Sequence, residues 1–326
     1  MMGIVRAVCI SKEKGTEKKP IPEGHFIENF GIEGDAHAGN WHRQVSLLSH
    51  EKVEAFNEKG GMAEDGAFGE NLLVDGMDFR AMPVGTRLSC HGVILEITQI
   101  GKECHSHCAI FHRVGDCIMP REGVFAKVIR GGVIRPGDAM TVEKEDPSRP
   151  LHAAVITVSD KGYAGEREDL SGPAAVEILE QYGYEVVETV LIPDEQKQIE
   201  RELCRLSDSR QVDLILTSGG TGFSMRDRTP EATLAVAHRL VPGISEAIRA
   251  GSMELTKRAM LGRGQSVLRN RSLIINLPGS PKAVRESLSF IMDTLEHGLR
   301  ILRGEAFECA SQGTHFPGNG QKKTMP

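Results

Sequence analysis

The chain has 326 residues, a length suited to two domains rather than one. Apolar residues make up 40% and charged residues 26%, which excludes collagen-like, coiled-coil and wholly disordered chains. The net charge of −6 divides so that residues 1–147 carry 17 basic and 22 acidic side chains and residues 148–326 carry 22 and 23; neither half has the basic surface of a large nucleic-acid footprint.

No apolar run approaches the roughly 20 residues that span a bilayer. The N-terminal MMGIVRAVCISKEKG has only a short apolar stretch, broken by Arg6, which reads as a first strand rather than a signal peptide. Seven cysteines (Cys9, Cys90, Cys104, Cys108, Cys117, Cys204 and Cys309) without an export signal point to a reduced, cytoplasmic protein with free thiols.

In chain order, IVRAVCI, QVSLLS, NLLV, TRLSC, VILEITQI and VFAKVIRGG are short strand-like runs punctuated by glycines and charged turns. They predict a β-rich, barrel-like first domain over 1–143. One helix is expected at Ser49–Lys59, with Ser49 as N-cap and Val53 and Phe56 on its buried face. The charged, proline-bearing EKEDPSRP marks a linker over 144–150. Beyond it, strands at 152–159, 185–192, 213–217 and 272–277 alternate with helices at 172–181, 194–206, from Thr229 and over 281–302. This alternation predicts an α/β chain overall, with a doubly wound parallel second domain over 151–310. The Gly- and Pro-rich tail over 311–326 has the composition of a disordered segment.

In a parallel sheet, ligands bind outside the carboxyl ends of the strands. The four loops there are Ser159-Asp160-Lys161-Gly162, Pro193-Asp194-Glu195, Ser218-Gly219-Gly220-Thr221-Gly222 and Pro278-Gly279-Ser280-Pro281. The glycine loop can wrap a phosphate with its backbone N–H groups, or be only a tight turn. It is neither a Walker A sequence nor GxGxxG. Thr229-Pro230-Glu231 reads as an N-cap, a proline at N1 and an acid in the first turn. Asp194 and Asp227 then stand at the top of one sheet, where they either cap helices or hold Mg²⁺ against a nucleotide phosphate. Arg226 is either a phosphate ligand or a surface ion-pair residue.

With these stretches in hand, residues 152–308 resemble the molybdopterin adenylyltransferase family. The matching stretches are VITVSDKG, LIPDEQ, DLILTSGGTGFSMRDRTPEAT, PGISEAIR and SLIINLPGSPKAV, in family order. The resemblance implies a doubly wound domain that assembles as a trimer or hexamer. It also implies transfer of AMP from Mg·ATP to the terminal phosphate of molybdopterin, with release of pyrophosphate. Asp194 and Asp227 match the acids associated with Mg²⁺ and catalysis. Ser218, Gly219, Gly220, Thr221 and Gly222 match the nucleotide and pterin phosphate loop, Ser159 and Asp160 the first substrate loop, and Pro278 and Gly279 the last. Ser280 departs from the family pattern and bears on fine substrate contacts.

In the first half, GKECHSHCAIFHRVGDCIMP at 101–120 gathers Cys104, His105, His107, Cys108, His112 and Cys117. The cluster reads equally as a zinc site, a reactive thiolate or buried free cysteines. Residues 1–143 resemble a MOSC domain through GIEGDAHAG, QVSLLS, FGENLLVDG, IGKECHSHC and REGVFAKVIRGGVIRPGD. That resemblance implies binding of the molybdenum cofactor and pyridoxal-independent carriage of sulfur on a late cysteine. Cys108 or Cys104 best occupies its place, with Cys117 third. Asp35, His37, His42 and Arg43 share one loop-like stretch, in which Arg43 with Arg121 offers a pterin phosphate site or ordinary surface charge. Glu70 and Asn71 line the same cleft or form a turn, and Trp41, the only tryptophan, stacks on a pterin or sits in the core. The expectation is a fused molybdenum-cofactor protein, partnered by a molybdenum-insertion protein or an acceptor molybdoenzyme, with no nucleic acid and no membrane. Its rival is a non-catalytic cofactor carrier or scaffold.

Overall fold

The computed structural model describes residues 2–103, 111, 115–143 and 149–304. The first half contains β1 (Met2–Ile10), β2 (Lys19–Ile21), β3 (Gly24–Ile27), β4 (Gly31–Ile32), β5 (Val45–Ser49), β6 (Leu72–Asp75), β7 (Arg87–Cys90), β8 (Val93–Ile100), β9 (Val124–Arg130), β10 (Gly132–Ile134) and β11 (Ala139–Val142). The order β11-β7-β8-β9-β5-β6-β1 closes through a β1–β11 pairing into a seven-stranded barrel, with β2 appended to β1. Closure removes the free edges that short strands otherwise leave open to aggregation. Val5, Leu47, Leu72, Val74, Leu88, Leu95, Ile97 and Met140 fill the inside. Leu48, Leu73, Phe68 and Phe125 form a second cluster outside, beneath the helix His50–Asn57. That is why β5 is buried along its whole length rather than on alternate residues.

The helix starts after Ser49, as expected, and buries Val53. Ser49 does not cap it, however: its hydroxyl is turned inward to the Met77 carbonyl. A second small sheet, β10-β3-β4, was not foreseen, because its strands have only two to four residues.

The second half contains β12 (His152–Val158), β13 (Glu185–Ile192), β14 (Leu214–Ser218), β15 (Arg239–Leu240), β16 (Ser266–Arg269) and β17 (Ser272–Leu277). The sheet order is β13-β12-β14-β17-β16-β15, with the first four strands parallel and the last two antiparallel. β12, β14 and β17 are buried on both faces, the pattern of parallel strands covered by helices on each side. Each face has its own apolar cluster, one around Val155 and Leu216, the other around Ile156 and Ile215.

Two expectations need correction. The helix from residue 281 is two helices, Pro281–Ser289 and Met292–Arg303. The helix expected from Asp194 begins at Gln196 and passes into a π-turn over Arg205–Ser209. The β16–β17 hairpin and the helix Pro242–Leu255 were not anticipated.

The barrel docks on the amino edge of the parallel sheet. Arg210, just before β14, donates to the Thr98 carbonyl at 2.7 Å, and the Gln211 side chain accepts from Val84 N at 3.0 Å. Arg303 grips the buried Asp213 with Nε and Nη2 at 2.7 and 2.6 Å and also bonds the carbonyls of Arg149 and Pro150. The last helix thereby ties down the chain where it enters β12. The tail at 311–326 lies outside the described residues. No helix among the described residues is long and apolar enough to cross a membrane.

Candidate active site

The loops after β12, β13, β14 and β17 converge on a cleft of about 460 Å³ at the carboxyl edge of the sheet. Ser159, Asp194, Ser218, Gly219, Gly220, Asp227 and Gly279 line it together. Thr221, Gly222 and Pro278 instead line a neighbouring cleft of about 320 Å³, with Arg249 and Arg258. The glycine loop is thus the wall between two clefts. It must be glycine there: Gly219 and Gly220 have φ of +103° and +62°. A Cβ on Gly220 would run into the Thr229 hydroxyl and come within 2.9 Å of Asp194 Oδ1. Gly220→Ala is therefore expected to destabilise the fold by about 1–2 kcal/mol through its left-handed backbone alone, read as a lower unfolding temperature.

Neither candidate carboxylate caps a helix. The N-cap positions belong to Glu195 and Arg228. Asp194 Oδ2 accepts from Asp160 N at 2.9 Å, and Asp160 returns the bond to Asp194 N at 3.0 Å. Asp227 Oδ2 accepts from Ser224 N at 2.9 Å. The Oδ1 atom of each accepts no hydrogen bond among the described residues. Burial raises the Asp194 pKa, and the charges of Asp160 and Asp227 add to the rise. Thr229, expected as an N-cap, is instead the first helical residue, and its fully buried hydroxyl has no partner among the described residues. Free carboxylate oxygens that repel one another beside an orphan hydroxyl fit a divalent cation, which magnesium sites complete with water and substrate phosphate. Among the described residues, no three His, Cys, Asp or Glu side chains form a ready metal site.

In the barrel, Asp35 is fully buried and paired with the equally buried Lys18. Burial works against its charge, but hydrogen bonding from His37 and the Lys18 ammonium outweigh it and hold the carboxyl below its usual range. His37 Nδ1 lies 3.3 Å from Lys18 Nζ. Trp41 is not a core residue. It is half-buried, its indole N–H donates to the His37 carbonyl at 2.8 Å, and the Arg43 guanidinium stands 4.8 Å from its ring. Arg121 bonds Asp116 at 2.9 Å on the surface.

Two domain families match this chain. Residues 154–297 match the family described as a probable molybdopterin binding domain, and residues 33–141 match the MOSC domain. A molybdopterin adenylyltransferase of Helicobacter pylori is 39% identical over 156 residues, which are 47% of this chain and 89% of that protein. The chain belongs to the molybdopterin adenylyltransferase family. The Haemophilus influenzae enzyme of the same name is 45% identical over 145 residues, 44% of this chain and 74% of that one. A solved molybdopterin biosynthesis enzyme, MoaB of Thermus thermophilus, is 45% identical, with a TM-score of 0.46 over 47% of this chain and 97% of its own.

Around the adenylyltransferase-family cleft, several supporting residues gave no signal in the sequence. Arg263 donates to the carbonyls of Gly222 and Asp227, each at 2.7 Å, and pairs with Glu231. It clamps the end of the glycine loop from a segment 36 residues beyond Asp227. Asn276 donates to Thr217 and Thr233, both at 2.9 Å, beneath the loop. Asp169 organises the facing wall by accepting from Ser171 N and Gly172 N. Arg226 is a rim residue, bridging Asp160 and Glu195. Ser280 caps the helix Pro281–Ser289 through Ala283 N.

In the MOSC domain, Glu70 and Asn71 form a buried turn rather than a cleft wall. Glu70 accepts from Gly66 N and Phe68 N, and Asn71 bonds Ser46 and the Cys9 carbonyl. Burial lifts the Glu70 carboxyl to about 7 against those bonds. A carboxyl raised on folding contributes stability below its unfolded pKa, and that contribution is lost as pH rises through the folded value. Thermal unfolding should show a falling midpoint from about pH 5 to 8, a slope that Glu70→Gln removes. Burial pushes the Cys9 and Cys90 thiols up to about 12 and raises that of Cys204, so these three are poor nucleophiles. Cys104, Cys108, His105, His107 and His112 lie outside the described residues.

Proposed function

We propose that the second domain transfers AMP from Mg·ATP to molybdopterin. The supporting observation is the pair Asp194 and Asp227, each with one oxygen free of hydrogen bonds among the described residues, lining one cleft beside the glycine loop that separates it from a second. In the reaction, an oxygen of the pterin's terminal phosphate bonds to the α-phosphorus of ATP, and the bond to the departing pyrophosphate breaks. Such a transfer needs alignment and charge neutralisation more than covalent help from protein groups. Bound Mg²⁺ would neutralise phosphate charge, held by Asp194 and Asp227. The backbone N–H groups of Gly220, Thr221 and Gly222 hold phosphate oxygens, that of Gly219 being bonded to the Leu277 carbonyl, and Thr221 and Pro278 face the second substrate across the loop. Asp160 steadies Asp194 from the first loop, and Ser159 lines the cleft beside it.

The MOSC domain, in this reading, binds the molybdenum cofactor and hands it, or sulfur, to an insertion protein or a molybdoenzyme. Its sulfur would ride on Cys104 or Cys108. The free thiols of Cys9, Cys90 and Cys204 suit a cytoplasmic setting, and the second domain would set a trimer or hexamer. The test incubates the full chain with molybdopterin and Mg·ATP. Adenylylated molybdopterin and pyrophosphate are expected in equal amounts. Pterin retained without either product would make the chain a carrier.

A further inference from the structure

We infer that the seam between the two domains is a second, composite binding site for a flat heterocycle carrying a 2-amino-4-oxopyrimidine edge, the edge common to pterins and guanine. The seam encloses a cleft of about 320 Å³. The barrel supplies Trp41, His42 and Lys127, and the second domain supplies His152, Glu185 and Arg210. His152 and Glu185 are the first residues of β12 and β13, so the cleft lies at the amino edge of the sheet. The adenylylation cleft lies at the carboxyl edge, one strand length or about 20 Å away. The two are separate sites, and neither domain alone has both walls of this one.

The cations in the seam are already paired. Lys127 holds Glu96 at 3.2 Å, and Arg210 holds Glu188 at 3.2 Å and the Thr98 carbonyl at 2.7 Å. A phosphate would find no free positive partner among them. Glu185 is different. His152 approaches one of its oxygens at 3.4 Å, and the other has no partner among the described residues. The hydrogen bond from His152 keeps the carboxyl ionised, near 2. Two coplanar acceptor oxygens match the adjacent amino and ring N–H donors of a 2-amino-4-oxopyrimidine. Adenine presents a donor beside an acceptor, and lumazine, the 2-oxo analogue of pterin, sets an oxygen against the carboxylate. Trp41 lines the cleft with its indole, positioned by its bond to His37 and with the Arg43 guanidinium 4.8 Å from its ring. This inference extends the cofactor-binding reading of the MOSC domain to a particular cleft and rests on that reading for its cellular ligand.

Trp41 is the only tryptophan, so indole emission of the full chain reports on the seam. Titration with pterin and with guanosine should change that emission, with lumazine and adenosine at least tenfold weaker, since a site built to accept hydrogen bonds rejects an analogue lacking the donors. Glu185→Gln should weaken pterin and guanosine about tenfold and narrow the gap to lumazine. Asn40→Phe, a change on the exposed lip of the cleft, should weaken all four and spares the Glu185–His152 pair. Equal response to pterin and lumazine, or an unaltered response in both variants, overturns the inference. Pterin retained in equilibrium dialysis while guanosine leaves Trp41 emission unchanged overturns the seam alone and leaves the cofactor-binding reading standing; no retention at all overturns both.

Discussion

Asp227→Asn and Asp194→Asn are each expected to lower AMP transfer by on the order of 100-fold or more, the scale on which one preorganised charge at a phosphoryl or acyl centre acts. Asn keeps the side-chain oxygen that accepts from Ser224 N or Asp160 N, so the loops keep their bonds. What it removes is the negative charge that faces the cleft. The two variants should part company in stability. Asp194 sits among like charges from Asp160 and Asp227, which raise its pKa after burial itself, so its neutral replacement should unfold at a higher temperature than the parent. Activity down with stability up is the mark of a carboxylate retained for function against its own repulsion. Pyrophosphate release and calorimetric unfolding on the same preparations read both. Activity within about threefold of the parent in both variants would reduce the pair to loop structure.

The parts of this site that could be read from sequence were local. β12, β14 and β17 announce themselves as apolar runs because they are buried on both faces, and the loops that follow them are contiguous motifs. What sequence could not supply were partners brought together by tertiary packing. Arg263 has no periodicity to mark it, yet it closes on the glycine loop. The break between residues 289 and 292 has no glycine or proline. The Phe290 ring instead lies against Gly251 of another helix, where any Cβ would come within 2.7 Å of it. Sequence alone leaves Trp41 open for the same reason: a large aromatic suits a core or a ligand wall, and only the docking of the second domain makes a cleft beside it. Thr229 shows the opposite failure. Its Thr-Pro-Glu context is a good capping pattern, but the helix starts one residue earlier and leaves its hydroxyl facing the site.

Lys18→Met should destabilise the MOSC domain by about 3–5 kcal/mol, the usual penalty for leaving one member of a buried ion pair alone. Lys18 and Asp35 are 1% and 0% exposed at their side chains. Without the ammonium, Asp35 would keep the backbone donors Ser11 N at 3.1 Å and His37 N at 2.9 Å, with the His37 imidazole at 3.5 Å. Those bonds shape the turn whose His37 carbonyl holds the Trp41 indole, so indole emission should shift with the loss of stability. Removing both charges in Lys18→Met/Asp35→Asn should cost less than Lys18→Met alone, because no charge is then stranded. The pH dependence identifies the cause. In the parent, the Asp35 pKa is depressed, so its contribution is present above the unfolded value of 3.8 and is lost as pH falls through the folded value. In Lys18→Met the ammonium no longer opposes burial and only the His37 and Ser11 donors do, so the Asp35 pKa rises above that of the parent and the variant loses less stability than the parent as the carboxyl takes up a proton. The gap between parent and variant should therefore be widest near neutral pH and narrow toward pH 4, measured by denaturant unfolding. A gap that stays constant across that range would mean that Lys18 acts through packing of its methylene chain and not through the charge of Asp35.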